Sequence, residues 1–382
     1  MILTETHLWE IVLMLGAGSF GQVYKVRKVV QNKPQPEMYA MKTENKKGDP
    51  SGMRLKIEVH VMEKCHTLPE SRRKHFVKLF ERGSTEHFKW IVMNLVGPSL
   101  DTVRQILKKN FSVSTAMQCG LQTLEALSDL HSIGFLHRDI KPANFCIGSD
   151  ETEEIVFMLD FGIARRYLNE DGTLRASRTH GKFKGTPRFC SRAAHLLLEL
   201  GRKDDVESWL FMLFDFYDNI QGLPWKGKQK EIVFDLKKQV FTPLYSTSEL
   251  HSTQIPKQMR NIVTYINNLK FECEPDYKYI KNVISMAATE MRVDLNAKLD
   301  WKGQAETLNH VKKTEEVSSA YTVFFSCNDT FFGWQDWVGG YFGSTYGKLQ
   351  LMSAEHSDDR TESPGVYIGQ NEACRIHSST IT

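Results

Sequence analysis

The chain lacks most of the features that mark specialised classes of protein. Its seven cysteines, at 65, 119, 146, 190, 273, 327 and 374, form no Cys-x-x-Cys pair and are odd in number. A disulfide scaffold is therefore excluded, and the expectation is reduced thiols in a reducing compartment, the cytoplasm or the nucleus. Neither sign of charge dominates: 49 Lys and Arg against 46 Asp and Glu leave a net of +3, too little to argue for a nucleic-acid partner. No apolar run reaches the ~20 residues of a membrane helix. The stretch from Leu8 to Leu15 is apolar, but Glu5 and Glu10 stand where a secretory signal carries basic residues, and no small-residue cleavage site follows. It reads as a first strand. Internal repeats are absent. What remains, 41% hydrophobic and 25% charged over 382 residues, is an ordinary globular composition with room for two lobes and a tail.

Periodicity divides the chain. Residues 9–15, 22–30, 38–42 and 88–94 are rich in Val, Ile, Tyr, Trp and Met and are broken by turn residues, as strands are. One helix is expected among them, from about Gly52 to Cys65, with Ile57, Val61 and Met62 on its apolar side. Beyond Gly97-Pro98 the period becomes helical, with Met117, Leu121, Leu124, Leu127 and Leu130 on one stripe that Ser112 or Ser114 could cap. Val206, Trp209, Leu210, Leu213, Phe214 and Tyr217 make a helix apolar on most sides, which belongs at the centre of a second lobe. The expectation is an α+β protein with a small, mainly β lobe over about 1–95 and a larger helical lobe over about 96–301. The tail, 302–382, has six Lys or Arg against ten Asp or Glu. It holds an aromatic cluster (Phe324, Phe325, Phe331, Phe332, Trp334, Trp337, Tyr341, Phe342 and Tyr346) and then a polar end expected to be disordered.

Two strings carry the chemistry. His137-Arg138-Asp139-Ile140-Lys141-Pro142-Ala143-Asn144 is followed downstream by Asp160-Phe161-Gly162. Phosphoryl transfer needs little covalent help, so a site for it positions a hydroxyl, holds Mg²⁺ and spreads developing charge. In that pattern Asp139 accepts the hydroxyl proton, Asn144 and Asp160 hold the metal, and Lys141 stabilises the transferring group. Upstream stands Gly16-Ala17-Gly18-Ser19-Phe20-Gly21, a pattern that dinucleotide folds and chance also produce. Here strand-like Gln22-Val23-Tyr24-Lys25-Val26 follows instead of a helix, so the loop is read as a hairpin tip folded over the phosphates of ATP. Tyr39-Ala40-Met41-Lys42 fits the pattern Val-Ala-Ile-Lys, in which the lysine grips the α and β phosphates and Ala40 leaves room for adenine. Glu58 is its expected partner, and Glu63, beside Lys64, the rival. Trp90–Gly97 reads as a last strand entering a hinge: Met93 guards the adenine pocket, the backbone of Asn94 and Val96 meets the base edge, and Leu15, Val23 and Cys146 sandwich the ring.

These strings together resemble protein kinases acting on Ser and Thr, and the resemblance narrows further. Ala-Pro-Glu, which closes the activation segment of most kinases, is absent. In its place, after Gly185-Thr186-Pro187-Arg188-Phe189-Cys190, stands Ser191-Arg192-Ala193-Ala194-His195. This is similar to the corresponding region of the casein kinase I superfamily. Gly97-Pro98-Ser99-Leu100, Asp204-Asp205-Val206-Glu207-Ser208, Leu223-Pro224-Trp225, Pro275-Asp276-Tyr277 and Asp300-Trp301 agree in order. The segments His131–His137 and Met158–Tyr167 look most like the tau-tubulin kinase branch.

The resemblance implies a bilobal protein-kinase fold, ATP and Mg²⁺ as cofactors, competence without phosphorylation of the activation segment, and a preference for acidic or already phosphorylated protein substrates. A monomer without nucleic-acid partners is expected. Arg165, Arg166, Arg175, Arg178, Lys182, Lys184, Arg188 and Arg192 crowd one segment, a basic wall suited to anionic peptides. Arg188 is the first candidate for anion contact, with Arg165, Lys228 and Lys230 behind it. Asn94 for an acidic hinge residue, Pro187 in the substrate-binding turn and Phe189 for a tyrosine depart from the pattern without removing a catalytic group.

Overall fold

The computed structural model describes residues 7–18, 21–46, 54–85, 87–177, 182–218, 222–242 and 255–304, together with the pairs 322–323, 325–326 and 351–352. Ser19, Phe20, Gly52, Arg178 and the side chains of the aromatic cluster lie outside them.

An antiparallel sheet builds the first lobe: β1 (His7–Gly18), β2 (Gly21–Val30), β3 (Lys33–Asn45), β4 (Leu79–Ser84) and β5 (Phe88–Asn94). Its order is β1-β2-β3-β5-β4. β4 was not expected from the sequence, since charged Glu81 and Arg82 and a 43% exposed Phe80 hide its alternation. Between β3 and β4 lies α1 (Arg54–Cys65). Its buried face is Leu55, Glu58, Val59, Val61, Met62 and Cys65, while Ile57 is exposed, against expectation. The reason is rotation: Leu55, Val59 and Met62 follow the i, i+4, i+7 spacing, and Ile57 sits off that stripe. A short α2 (Glu70–Arg73) follows.

The second lobe is mainly helical, with α3 (Leu100–Leu107), α4 (Val113–Ser132), α5 (Arg192–His195), α6 (Arg202–Tyr217), α7 (Lys230–Val240), α8 (Met259–Asn268) and α9 (Tyr277–Glu290). Two short antiparallel ladders, β6 (Phe135–Leu136) with β9 (Arg165–Arg166) and β7 (Phe145–Ile147) with β8 (Val156–Met158), lie between α4 and α5. Ser112 caps α4, its hydroxyl accepting from Thr115 N at 3.1 Å. Trp209, Leu210, Leu213, Phe214 and Tyr217 of α6 are buried, and Trp209 Nε1 donates to Gly120 O on α4 at 3.1 Å. Trp301 is fully buried, its ring 5.7 Å from that of Phe111. Three two-residue strands follow: β10 (Thr322–Val323), β11 (Phe325–Ser326) and β12 (Leu351–Met352), with β11 paired along the free edge of β1.

No described helix is long and apolar enough to cross a membrane.

Candidate active site

Strand register assembles the roof of the cleft. Gly18 pairs with Gly21, making the glycine-rich loop the tip of the β1–β2 hairpin. Gly21 must be glycine: a Cβ there would stand 1.7 Å from Thr43 O on the neighbouring strand. Val23 lies opposite Lys42, Lys42 opposite Ile91, and Ala40 opposite Met93. Because residues two apart share a face of a strand, the register brings Val23, Ala40, Lys42 and Met93 to one side of the sheet. Leu15 is half-buried on β1, and Gly16 and Ala17 are exposed at the hairpin. At the hinge Asn94 is fastened to the chain entering β4: its Oδ1 accepts from Lys78 N at 2.7 Å. The backbone continues through Val96 to Gly97, whose N donates to Ile147 O at 2.8 Å, next to half-buried Cys146.

Lys42 Nζ lies 2.6 Å from Glu58 Oε2 and 3.1 Å from Asp160 Oδ1. Burial works against its charge, but Glu58 and Asp160 outweigh it and hold the ammonium well above the ordinary lysine range. Asp160 likewise resists burial through Lys42 and is pulled below the usual carboxylate range. Glu63 turns instead to Arg82. Sequence reasoning missed what holds α1 in place. The helix has no acid in its first turn, and Glu44 of β3 supplies one: its oxygens accept from Arg54 N at 3.0 Å and Leu55 N at 3.2 Å.

The loop that carries Asp139 is hung from α6. Buried Asp205 accepts from the backbone N of His137 at 2.7 Å and of Arg138 at 2.8 Å, and from His131 Nε2 at 3.0 Å. Burial opposes its ionisation, but the bond from His131 outweighs it, so the carboxyl lies below its ordinary range. Arg138 (φ 68°) and Asp160 (φ 63°) both hold left-handed backbone that non-glycine residues rarely adopt, an outlier pattern common at reactive sites. His137 Nε2 donates to Leu159 O at 3.0 Å, leaving Nδ1 to accept from Asp139 N at 3.3 Å. The loop and the Asp160 segment are thereby stitched together, and Leu159 N donates to Asn144 O at 2.9 Å.

Both oxygens of Asp139 are engaged. Lys141 Nζ donates to Oδ2 at 2.7 Å and Thr186 Oγ1 to Oδ1 at 2.8 Å, with Lys141 also 3.2 Å from Thr186 Oγ1. Asn144 Nδ2 donates to Asp139 O at 2.8 Å, which leaves its amide oxygen for a cation. Thr186 was not singled out from sequence; its place in the Gly-Thr string was the available signal. Gly185, with φ 94°, brings it there, and a Cβ at that position would lie 2.8 Å from Arg138 O.

The basic candidates divide. Arg188 turns inward, its Nη2 bonded to Asp215, which is fully buried on α6 and also ion-paired with Arg104 at 2.8 Å. Its guanidinium lies over the Phe189 ring at 5.0 Å. That is the geometry of an anchor, where the sequence reading placed an outward anion contact. Arg165 pairs with Glu199 at 3.1 Å, Lys230 Nζ stands 4.0 Å from the Phe183 ring centroid, and Lys228 is exposed.

Comparison with known proteins agrees with this geometry. The sequence matches the protein kinase domain family over residues 9–272. It is 41% identical to the putative serine/threonine-protein kinase ZK507.1 of Caenorhabditis elegans over 268 residues, 70% of this chain and 79% of that protein. It is 34% identical to the serine/threonine-protein kinase spe-6 of the same organism, covering 78% of this chain and 76% of that one. Casein kinase I homolog 3 of Schizosaccharomyces pombe is 30% identical over 75% of this chain and 63% of its own length. With a bilobal fold that joins Lys42, Glu58 and Asp160 on one side of the cleft to Asp139, Lys141 and Asn144 on the other, the chain belongs to the protein kinase family, among relatives that are serine/threonine kinases.

Proposed function

We propose that the protein transfers the γ-phosphoryl group of Mg-ATP to Ser or Thr hydroxyls in acidic or already phosphorylated protein segments, in the manner of the casein kinase I superfamily and most like its tau-tubulin branch. The observation that carries the reading is the Asp139 carboxylate, held from both sides by Lys141 and Thr186. A carboxylate so fixed can orient an incoming hydroxyl and take its proton, and the adjacent lysine can stabilise charge as the phosphoryl moves. On the opposite side Lys42, fixed by Glu58, would grip the α and β phosphates. Val23, Ala40, Met93 and Cys146 would enclose the adenine.

The donor set fits Mg²⁺. Asp160 offers a carboxylate and Asn144 an amide oxygen, both hard ligands. No cluster of three or more His, Cys, Asp or Glu suited to a metal occurs among the described residues, so a cation there would draw its remaining ligands from phosphate and water. When bound, the ion would offset the negative charge of the phosphates.

The preference for anionic substrates rests on local charge. Lys184 is held below the ordinary lysine range by burial and by repulsion from Arg138, Arg54 and Lys182, the mark of an excess of positive charge beside the cleft. Lys182, two positions before it in sequence, is exposed, as is Lys228. The proposed location is the cytoplasm or the nucleus, following the five cysteines among the described residues, none of which is in a disulfide. The test is transfer of labelled phosphate from ATP and Mg²⁺ by purified, phosphatase-treated protein to casein and to neutral peptides. Transfer to casein well above the neutral peptides is expected; no transfer to any protein or peptide would overturn the reading.

A further inference from the structure

A lysine that looks solvated in the sequence lies under the turn after Gly185. Lys237, on α7, is fully buried, with none of its side chain exposed. Its Nζ donates to Pro187 O at 2.7 Å and Cys190 O at 2.6 Å, and stands 3.4 Å from His195 Nε2. The rings of Phe211, 4.9 Å away, and Trp225, 5.7 Å away, close over it. Among the described residues no carboxylate makes an ion pair with it. Glu207 attracts it from farther off but is committed to Arg192, whose Nε it meets at 3.1 Å.

Three protons of an ammonium thus face three acceptors, two of them backbone carbonyls of one turn. A buried, unpaired charge is a costly way to fill space between two aromatic rings, and an apolar side chain there would leave the carbonyls of Pro187 and Cys190 without this donor. Packing between the rings alone therefore does not explain the residue. What it does achieve is to complete the bonding of the turn. Thr186 O accepts from Phe189 N and Cys190 N at 2.9 Å, Arg188 O accepts from Trp225 Nε1 at 2.7 Å, and Lys237 takes the carbonyls of Pro187 and Cys190. The first residue of that turn is Thr186, whose hydroxyl donates to Asp139.

Building on the kinase reading, we propose that Lys237 is a positioning residue for the protein substrate: its ammonium fixes the Thr186–Cys190 turn against α7, so that the surface receiving the acceptor segment is assembled from within the fold. It acts through the turn and touches neither nucleotide nor reacting atoms. Its removal should therefore separate the two substrates. Lys237→Met keeps the length of the side chain and strands both carbonyls.

The test is steady-state kinetics of full-length wild type and Lys237→Met with casein and ATP, together with backbone hydrogen exchange. In the variant kcat/KM for casein should fall on the order of 10- to 100-fold, the scale of charge-assisted hydrogen bonds lost in a positioning shell. KM for ATP should stay within about twofold. The amides of Phe189 and Cys190 should lose exchange protection while those of α6 keep it. Unchanged casein kinetics, an equal fall in the casein and ATP parameters, or loss of protection throughout α6 would each overturn the proposal. Should Lys237→Met fail to fold, Lys237→Gln, which is shorter and uncharged and so cannot restore both charge-assisted bonds to Pro187 O and Cys190 O, carries both measurements with the same expected direction. Wild-type protein that transfers no phosphate would refute the kinase reading, and the exchange experiment would still decide whether Lys237 holds the turn.

Discussion

Arg188→Ala should depress activity on primed and unprimed peptides alike. Asp215 has no exposed surface and holds Arg188 on one side and Arg104 on the other. Breaking an isolated buried ion pair costs ~3–5 kcal/mol, and an exposed one ~0–1 kcal/mol. Here the Arg188 side chain is 25% exposed, and Arg104, 4% exposed, continues to neutralise the carboxylate after the change. The loss should fall between those limits, at ~1.5–3 kcal/mol, the range of a hydrogen bond to a charged group. If that energy holds the turn in its working form, kcat/KM drops roughly 10- to 150-fold for every peptide, since 1.4 kcal/mol is about tenfold. The assay is steady-state kinetics on a matched pair of peptides differing only in a phosphate upstream of the acceptor. A fall confined to the primed peptide, and shrinking with added salt, would refute the anchor and make Arg188 the reader of the phosphate.

Three further outcomes follow from the same geometry. Asp139→Asn should lower turnover on the order of 10² or more while nucleotide binding, measured by calorimetry, stays nearly intact, because the carboxylate that takes the proton is lost and no phosphate contact is; near-normal turnover would remove Asp139 from its role. Lys42→Met should weaken ATP use without lowering Tm by more than a few degrees, since the apolar chain fills the space of the lysine stem; normal ATP kinetics would sink the pairing with Glu58 as a functional device. Glu125 is held down to about 2 by His75, whose Nε2 stands 3.9 Å from Oε2, against burial and with help from Lys74 at 2.9 Å and from Lys281. A carboxylate depressed in the fold stabilises fully above its ordinary pKa of 4.5 and loses that contribution as pH falls towards 2. Melting curves of Glu125→Gln should therefore show a shallower decline of Tm across that window than the wild type, and parallel curves would contradict the assignment.

The strands and helices that carry motifs were legible because each motif fixes its neighbours. A glycine-rich loop followed by Val23 implies a hairpin, and the register then brings Val23 to Lys42. Where no chemistry constrained the reading, it slipped. β4 escaped because an edge strand bearing Glu81 and Arg82 shows no alternation of polarity. On α1 Ile57 drew attention as a bulky apolar residue, though the buried stripe runs through Leu55 and Val59. Arg188 illustrates the harder case. Its neighbours in sequence are basic, which favours an anion from outside, but its partner is Asp215, an acid inside a helix that reads as apolar on most sides. Lys237 was invisible for the same reason: a lysine in a charged helix looks solvated until the fold closes over it.

The burial of Trp301 bears on how the chain is made. Its indole donates to Glu153 O, and the neighbouring Asp300 accepts from Ser112 N, a partner 188 residues earlier. The cap of α4 and the pocket beside Phe111 are therefore finished by a segment the ribosome delivers late. At ~5–20 residues per second, that interval lasts roughly 10–40 s. For the first half of that time the ring of Phe111, which in the folded protein meets Phe216 and Trp301, has neither ring in the nascent chain, and after Phe216 is made it still lacks Trp301. The large lobe thus completes its apolar packing around Phe111 only when Trp301 arrives.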